Sequence, residues 1–134
     1  MSIGQFPLQS AIYSLLSNDS NLTTTLGAGV FDDVLEGSTF PYVELGNESS
    51  IDFSTKTSTG SEYTINLHIW SQYAGSKEVK QIMDRLHDLL HDSNMNVTGF
   101  NLINVRFEFS DIMRDPDGKT RHGIMRFRAI ILGN

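Results

Sequence analysis

The sequence of 134 residues contains no cysteine, which excludes disulfide bonds, thiol nucleophiles and cysteine-ligated metal sites. It has no apolar run near the roughly 18 residues that a membrane-spanning helix requires, so we expect no membrane partner. The first residues lack the basic and apolar regions of a secretion signal, and the missing cysteine fits a reducing compartment. Basic residues are scarce, and the formal net charge of −6 argues against bulk binding of nucleic acid. We therefore expect a single domain over residues 1–134 that buries a core of its own.

The basic residues that do occur are concentrated in the C-terminal third. This part of the chain carries a formal charge of +2, whereas the remainder carries −8. An acidic body with a basic segment is typical of a subunit that meets its own kind, or a partner, through opposite charges. A solvated basic hairpin is the alternative interpretation. The basic residues after position 100 are Arg106, Arg114, Lys119, Arg121, Arg126 and Arg128.

Two stretches have the apolar spacing of amphipathic helices. The first begins at Pro7, which suits a first helical turn, and continues to Leu16. The second begins after Ser76, a candidate N-cap, and extends to about His91. A short additional helix is predicted around Leu22 and Leu26.

Strands are predicted at residues 30–34, 42–45, 61–71, 102–109 and 124–131. The clearest is 61–71, where Tyr63, Ile65, Leu67 and Ile69 alternate with mostly polar residues. A turn with Asp115-Pro116-Asp117-Gly118 at its centre joins the last two strands. The order of elements predicts an α+β domain with a mainly antiparallel sheet and two main helices packed on one face.

The segment around residues 46–60 is rich in serine and threonine and poor in large apolar side chains. Two interpretations remain open: a long polar hairpin with ragged strands around Ile51 and Phe53, or a flexible loop. Long polar loops are uncommon in small domains and are often functional.

One face of the predicted sheet has nothing left in the chain to cover it. It carries Trp70 together with arginines, the residue types that contribute most to protein interfaces. A solvated face with Trp70 at its rim is the alternative. The candidate interface residues, including the basic turn and the polar loop, are Trp70, Arg106, Arg114, Lys119, Arg121, Arg126, Arg128, Thr55, Lys56 and Thr57.

The sequence patterns that could indicate a metal site are incomplete. His87 and His91 have zinc-binding spacing on a helix, but no third ligand is identifiable. Asp115, Asp117 and Gly118 resemble part of a calcium loop but lack its distal glutamate, so a turn is expected. We therefore predict no catalytic, cofactor-binding or metal-ligating residue, and no enzyme.

Several segments occur in a characteristic order. A helix at 8–16 precedes Gly29-Val30-Phe31, then the segment 40–43 and a strand–helix unit at 63–90. The most specific segment is 114–123, which continues into the strand at 125–128. In these features the chain resembles the tail-completion, or tail-to-head joining, proteins of long-tailed phages, prophages and gene-transfer particles.

This resemblance implies a structural role similar to that of tail terminators, namely a hexameric ring at the head-proximal end of the tail. The implied partners are other copies of the chain, the tail tube protein and the head-completion or connector protein. DNA is expected to pass through the lumen without specific binding. The implied location is the head–tail interface of the virion, after assembly in the host cytoplasm. Polar loops that stay partly disordered until assembly are also implied.

Two other hypotheses remain open. A small α+β ligand-binding or regulatory domain would need an apolar pocket with a few convergent polar groups. A hydrolase using His68 or His122 would need a nucleophile, and the sequence offers no recognisable one.

Overall fold

The computed structural model describes residues 3–133. Within these residues, two α-helices, α1 (Gln5–Ser17) and α2 (Lys77–Leu90), accompany five strands, and a π-helical turn covers Asn21–Thr25. The strands are β1 (Gly29–Phe31), β2 (Tyr42–Asp52), β3 (Gly60–Ser71), β4 (Phe100–Arg114) and β5 (Arg121–Gly133). The predicted α+β class is confirmed.

The strands form one sheet in the order β1-β2-β3-β5-β4. The β1–β2 pair is parallel, and the other three pairs are antiparallel, which confirms a mainly antiparallel sheet. β3 and β5 pair over their full lengths at the centre, whereas β4 and the short β1 lie at the two edges. No helix in residues 3–133 has both the length and the apolarity needed to cross a bilayer.

The core lies between the two helices and one face of the sheet. Alternate residues of β3 and β5 point into it because successive side chains of a strand project to opposite faces. Most residues of both predicted helical stripes are buried, which confirms that the helices pack on this face. The main contributors are Leu8, Ile12, Leu16, Tyr63, Leu67, Val79, Ile82, Leu86, Phe127 and Ile131.

An ion pair joins the chain after α1 to α2. The Asp19 carboxylate accepts hydrogen bonds from Nε and Nη2 of Arg85 at 2.9 and 2.6 Å, and one from the Leu22 N–H at 2.9 Å. The bond from Arg85 is the main reason that the pKa of Asp19 lies below its ordinary value. These bonds fix the two helices relative to each other.

Some predicted boundaries were wrong. The strand expected at 30–34 ends at Phe31, and the short second helix is a π-helical turn that ends before Leu26. Ser76 is the N-cap residue of α2, as predicted: its carbonyl accepts from the Lys80 N–H, although its hydroxyl makes no capping bond.

The polar segment 46–60 forms a hairpin, one of the two interpretations left open. β2 continues to Asp52 and pairs with β3, with an irregularity between Leu45 and Glu48. The stretch outside the strands is therefore 53–59, shorter than expected. A polar strand can persist here because its backbone hydrogen bonds to β3 do not depend on side-chain apolarity.

Candidate assembly surface

The sheet has one face that neither helix covers. We call it the bare face and define it by the outward side chains of β3, β5 and β4. Because Phe127 points into the core, its neighbours Arg126 and Arg128 project from the bare face. Phe109 and Met113 lie on the same face and are 43% and 41% exposed. The bare face therefore combines cationic and apolar side chains, as protein interfaces do.

Three arginines group on the bare face near the β4 edge. Arg106 lies directly opposite Arg128, and Arg126 lies opposite Phe109, with its guanidinium 5.2 Å from the centre of that ring. Arg128 lies 3.7 Å from the Glu62 carboxylate and 3.8 Å from that of Glu108. We call Arg106, Arg126, Arg128 and Phe109 the arginine surface.

The contacts made by these arginines are weak. Arg106 pairs with Asp92 at 3.3 Å, and the Arg126 Nε donates to Asn66 Oδ1 at 3.4 Å. About half of each of the Arg106 and Arg128 side chains remains exposed. Exposed pairs of this kind contribute little to stability, so the three cations remain available to a partner.

Trp70 lies further along the bare face in a row of aromatic rings. Its ring stacks on His122 with centroids 3.8 Å apart, and its Nε1 donates to a Glu44 carboxylate oxygen at 3.4 Å. His68 Nδ1 lies 2.7 Å from His122 Nε2, so at least one of these rings is neutral at the shared hydrogen bond. Burial, and then the neighbouring His68, lower the pKa of His122. Trp70 is therefore half-buried within this row.

The hydrolase hypothesis gains no nucleophile from this row. His68 and His122 are hydrogen-bonded to each other, not to a serine or threonine hydroxyl. Among residues 3–133, no group of three or more histidine and carboxylate side chains is arranged to hold a metal.

Three of the predicted interface residues lie at one end of the sheet. Arg114 and Arg121 face each other where β4 and β5 join, and Lys119 lies in the exposed turn between them. Asp117 closes this turn, because its carboxylate accepts from the N–H groups of Lys119 and Thr120 and from the Thr120 hydroxyl. These bonds lower the pKa of Asp117 to about 2. The predicted turn is confirmed, and the Asp117 oxygens are engaged within it.

The other predicted residues, Thr55, Lys56 and Thr57, lie at the opposite end of the sheet. All three are exposed at the tip of the β2–β3 hairpin. The Thr55 Oγ1 accepts from the Ser58 N–H at 3.1 Å, and the Thr55 N–H donates to the Ser58 carbonyl at 2.8 Å. β3 is 12 residues long, so the two ends are about 40 Å apart. The predicted residues thus occupy three separate places.

Sequence reasoning missed an acidic surface at the β1–β2 edge. Asp32, Asp33 and Glu48 are exposed there, and none of them forms an ion pair with another described residue. Desolvation and the charge of Asp32 raise the pKa of Glu48, which indicates that negative charge accumulates at this edge. We call these three residues the acidic edge. The signal was present in the sequence, since no lysine or arginine occurs before Lys56.

The two histidines with zinc-binding spacing have a structural role instead. Their rings stack 4.8 Å apart, and His91 Nδ1 accepts a hydrogen bond of 3.0 Å from the Phe107 N–H. The next residue, Asp92, donates its N–H to the Val105 carbonyl at 2.8 Å. The two residues that follow α2 therefore cover the middle of the β4 edge.

A groove beside α1 offers little to a specific small ligand. It has a volume of about 660 Å³ and is lined mainly by Phe6, Pro7, Ala11, Leu15 and Met95. None of its lining residues is titratable. Convergent charged groups, which often fix a ligand in such a pocket, are therefore missing from its walls.

Comparison with known proteins gives consistent matches. The sequence profile of the family described as tail completion protein gp17 matches residues 10–132. Tail completion protein gp17 of Bacillus phage SPP1 is 32% identical over 95 residues, which cover 71% of this chain and 70% of that protein. A chain in the virion of a native gene transfer agent particle has a TM-score of 0.90 at 26% identity, covering 99% of this chain and 100% of its own. Another solved structure, at 14% identity and a TM-score of 0.51, shares the fold alone.

Proposed function

This chain belongs to the tail completion protein gp17 family, and we propose on that premise that it forms a ring which completes a phage-type tail. The ring is built from six copies, closes the head-proximal end of the tail tube and joins it to the head-completion or connector protein. The tail tube protein is the other partner. The chain assembles in the host cytoplasm and becomes part of the virion, at the interface of head and tail.

The observation that carries this proposal is the end-to-end structural match to a chain of a gene transfer agent virion. The match covers 99% of this chain and 100% of the other, so the likeness extends over the whole fold and is not limited to one motif. The bare face supports the same role, since a ring subunit needs surfaces that a monomer does not cover.

The role is structural and not enzymatic. The match to a family of tail completion proteins supports this role. We accordingly expect the purified protein to turn over no substrate.

The ring encloses a lumen through which DNA passes. The net charge of −6 suits a wall that does not hold phosphate groups, because like charges repel. The chain therefore guides DNA without binding it specifically.

A binding experiment on tail tubes tests the proposal. Purified protein mixed with tubes of the same virus, which lack this subunit, should form a cap at one end only, visible by negative-stain electron microscopy. The same protein should restore head joining to extracts that lack it. Tubes that remain uncapped while other tail proteins bind them would contradict the ring assignment.

A further inference from the structure

The arginine surface and the acidic edge lie towards opposite edges of the sheet. The first belongs to β4 and β5, whereas the second belongs to the β1–β2 edge. Three strand spacings, or about 14 Å, separate β2 from β4. Within one copy the two surfaces therefore cannot meet. Two copies placed side by side can bring them together.

The two surfaces also lie at the same level along the strands. Glu48 pairs with Ile65, Ile65 pairs with Phe127, and Phe127 pairs with Phe107. One row across the sheet thus connects Glu48 with the β5 residue that lies between Arg126 and Arg128. A neighbouring copy needs little shift along the strand direction to align opposite charges.

The charges project from opposite faces at the two edges. Glu48 lies opposite Ile65, which points into the core, so Glu48 projects on the helix side. Arg126 and Arg128 project from the bare face. The helix side of one copy's acidic edge can therefore lie over the arginine surface of the next copy, so that the two sheets overlap at their edges.

Pairing of strands between copies is blocked at this level. The Phe107 N–H donates to His91 Nδ1, and the Val105 carbonyl accepts from the Asp92 N–H. The central backbone groups of the β4 edge are thus already occupied. A neighbouring strand cannot be added here, whereas the side chains of the arginine surface remain accessible.

We propose that the acidic edge of one copy covers the arginine surface of the next copy in the ring. A second copy is the occupant because the same chain carries both complementary surfaces, as a head-to-tail interface requires. The pairing rests on the proposed ring function and specifies which surfaces form its repeated contact. The apolar ring of Phe109 becomes buried in the same contact.

Charge exchange tests the pairing directly. The arginine-surface variant carries Arg126→Glu and Arg128→Glu. The acidic-edge variant carries Asp32→Lys and Glu48→Lys. Each variant alone places like charges against each other, which opposes association, so we expect capping of tail tubes to fall at least about tenfold. An equimolar mixture should recover capping, because the two variants alternate around a ring with an even number of subunits. A chain with all four substitutions should recover it as well.

Controls separate this proposal from the ring function. Lys80→Glu, on the exposed side of α2, changes charge away from both surfaces and should cap tubes like the unmodified chain. If the unmodified chain fails to cap tubes, the ring function itself is wrong. If the unmodified chain caps tubes but either variant alone does so equally well, or the mixture does not recover capping, the pairing of these two surfaces is wrong.

A cross-linking measurement keeps the test independent of large charge changes. The chain has no cysteine, so Glu48→Cys with Arg106→Cys introduces the only two thiols. Mild oxidation of this variant bound to tail tubes should form disulfides between neighbouring copies. A non-reducing gel should then show covalent oligomers larger than the dimer. The control pair Glu48→Cys with Lys80→Cys should give no such oligomers. Equal amounts of these oligomers from both pairs, or none from the first pair on capped tubes, would overturn the proposed contact.

Discussion

Three consecutive residues of β5 allow folding and assembly to be perturbed separately. Phe127 is fully buried and packs edge-on against Phe107, with ring centroids 5.7 Å apart. Replacing it by alanine removes a core ring and leaves a cavity, which typically costs about 3–5 kcal/mol. Arg126 and Arg128 project to the other side, where exposed ion pairs contribute about 0.2–1 kcal/mol each. Their joint replacement by alanine should cost about 1 kcal/mol or less of unfolding free energy.

Urea unfolding and tail-tube capping should rank these variants in opposite orders. With a denaturant slope of about 2 kcal/mol per M, Phe127→Ala should lower the urea midpoint by roughly 2 M and the double arginine variant by less than about 0.5 M. The arginine variant should nevertheless cap fewer tubes, whereas the Phe127→Ala chain that remains folded should cap normally. A large midpoint shift in the arginine variant, or normal capping by it, would refute the separation of the two faces.

Three further changes probe other parts of the chain. Replacing 54–58 by a two-residue turn should leave the urea midpoint nearly unchanged, because loop closure depends weakly on length. The shortened chain should bind tail tubes more weakly, because we expect the hairpin tip to contact the tube. Unchanged binding would show that the hairpin tip only connects β2 to β3. The pKa of His122 is lowered from 6.5 in the folded state, so the unfolded chain binds the proton more readily. The free energy of unfolding should therefore be highest above pH 6.5 and fall as the pH drops below that value. The fall should be smaller in His122→Gln. Gly46→Ala should lower the melting temperature, since a Cβ there would lie 2.5 Å from the His68 ring and 3.0 Å from the Asn66 carbonyl, whereas an unchanged melting temperature would show that both neighbours can shift.

The parts of the fold that depend on local pattern could be predicted from the sequence. The helical stripe of α2 and the alternation in β3 are both visible in short windows, and both elements have nearly the predicted bounds. Residues 46–52 show no such pattern, because this part of β2 is exposed at an edge and needs no apolar side chains there. Its strand conformation depends on pairing with β3, which a local pattern does not reveal.

The candidate site could be predicted only in pieces. The arginines of β5 were identifiable from their alternation with Phe127 and Ala129, because parity along a strand determines the face. The strand order places the acidic edge at the far side of the sheet, and no property of a single segment indicates that order. The role of His91 and Asp92 at the β4 edge also depends on tertiary contacts. Arg114 and Arg121 were grouped with the other arginines by sequence, yet they lie at the end of the sheet.

The covered edge of β4 limits how copies of this protein can associate. A long edge strand is ordinarily a template for uncontrolled pairing, and its central backbone groups are the most exposed to a neighbour. Here His91 and Asp92 occupy those groups, so strand addition is disfavoured at the level of the arginine surface. The proposed ring repeats one head-to-tail contact, and at this level the side chains of the arginine surface, not the β4 backbone, are left to make it.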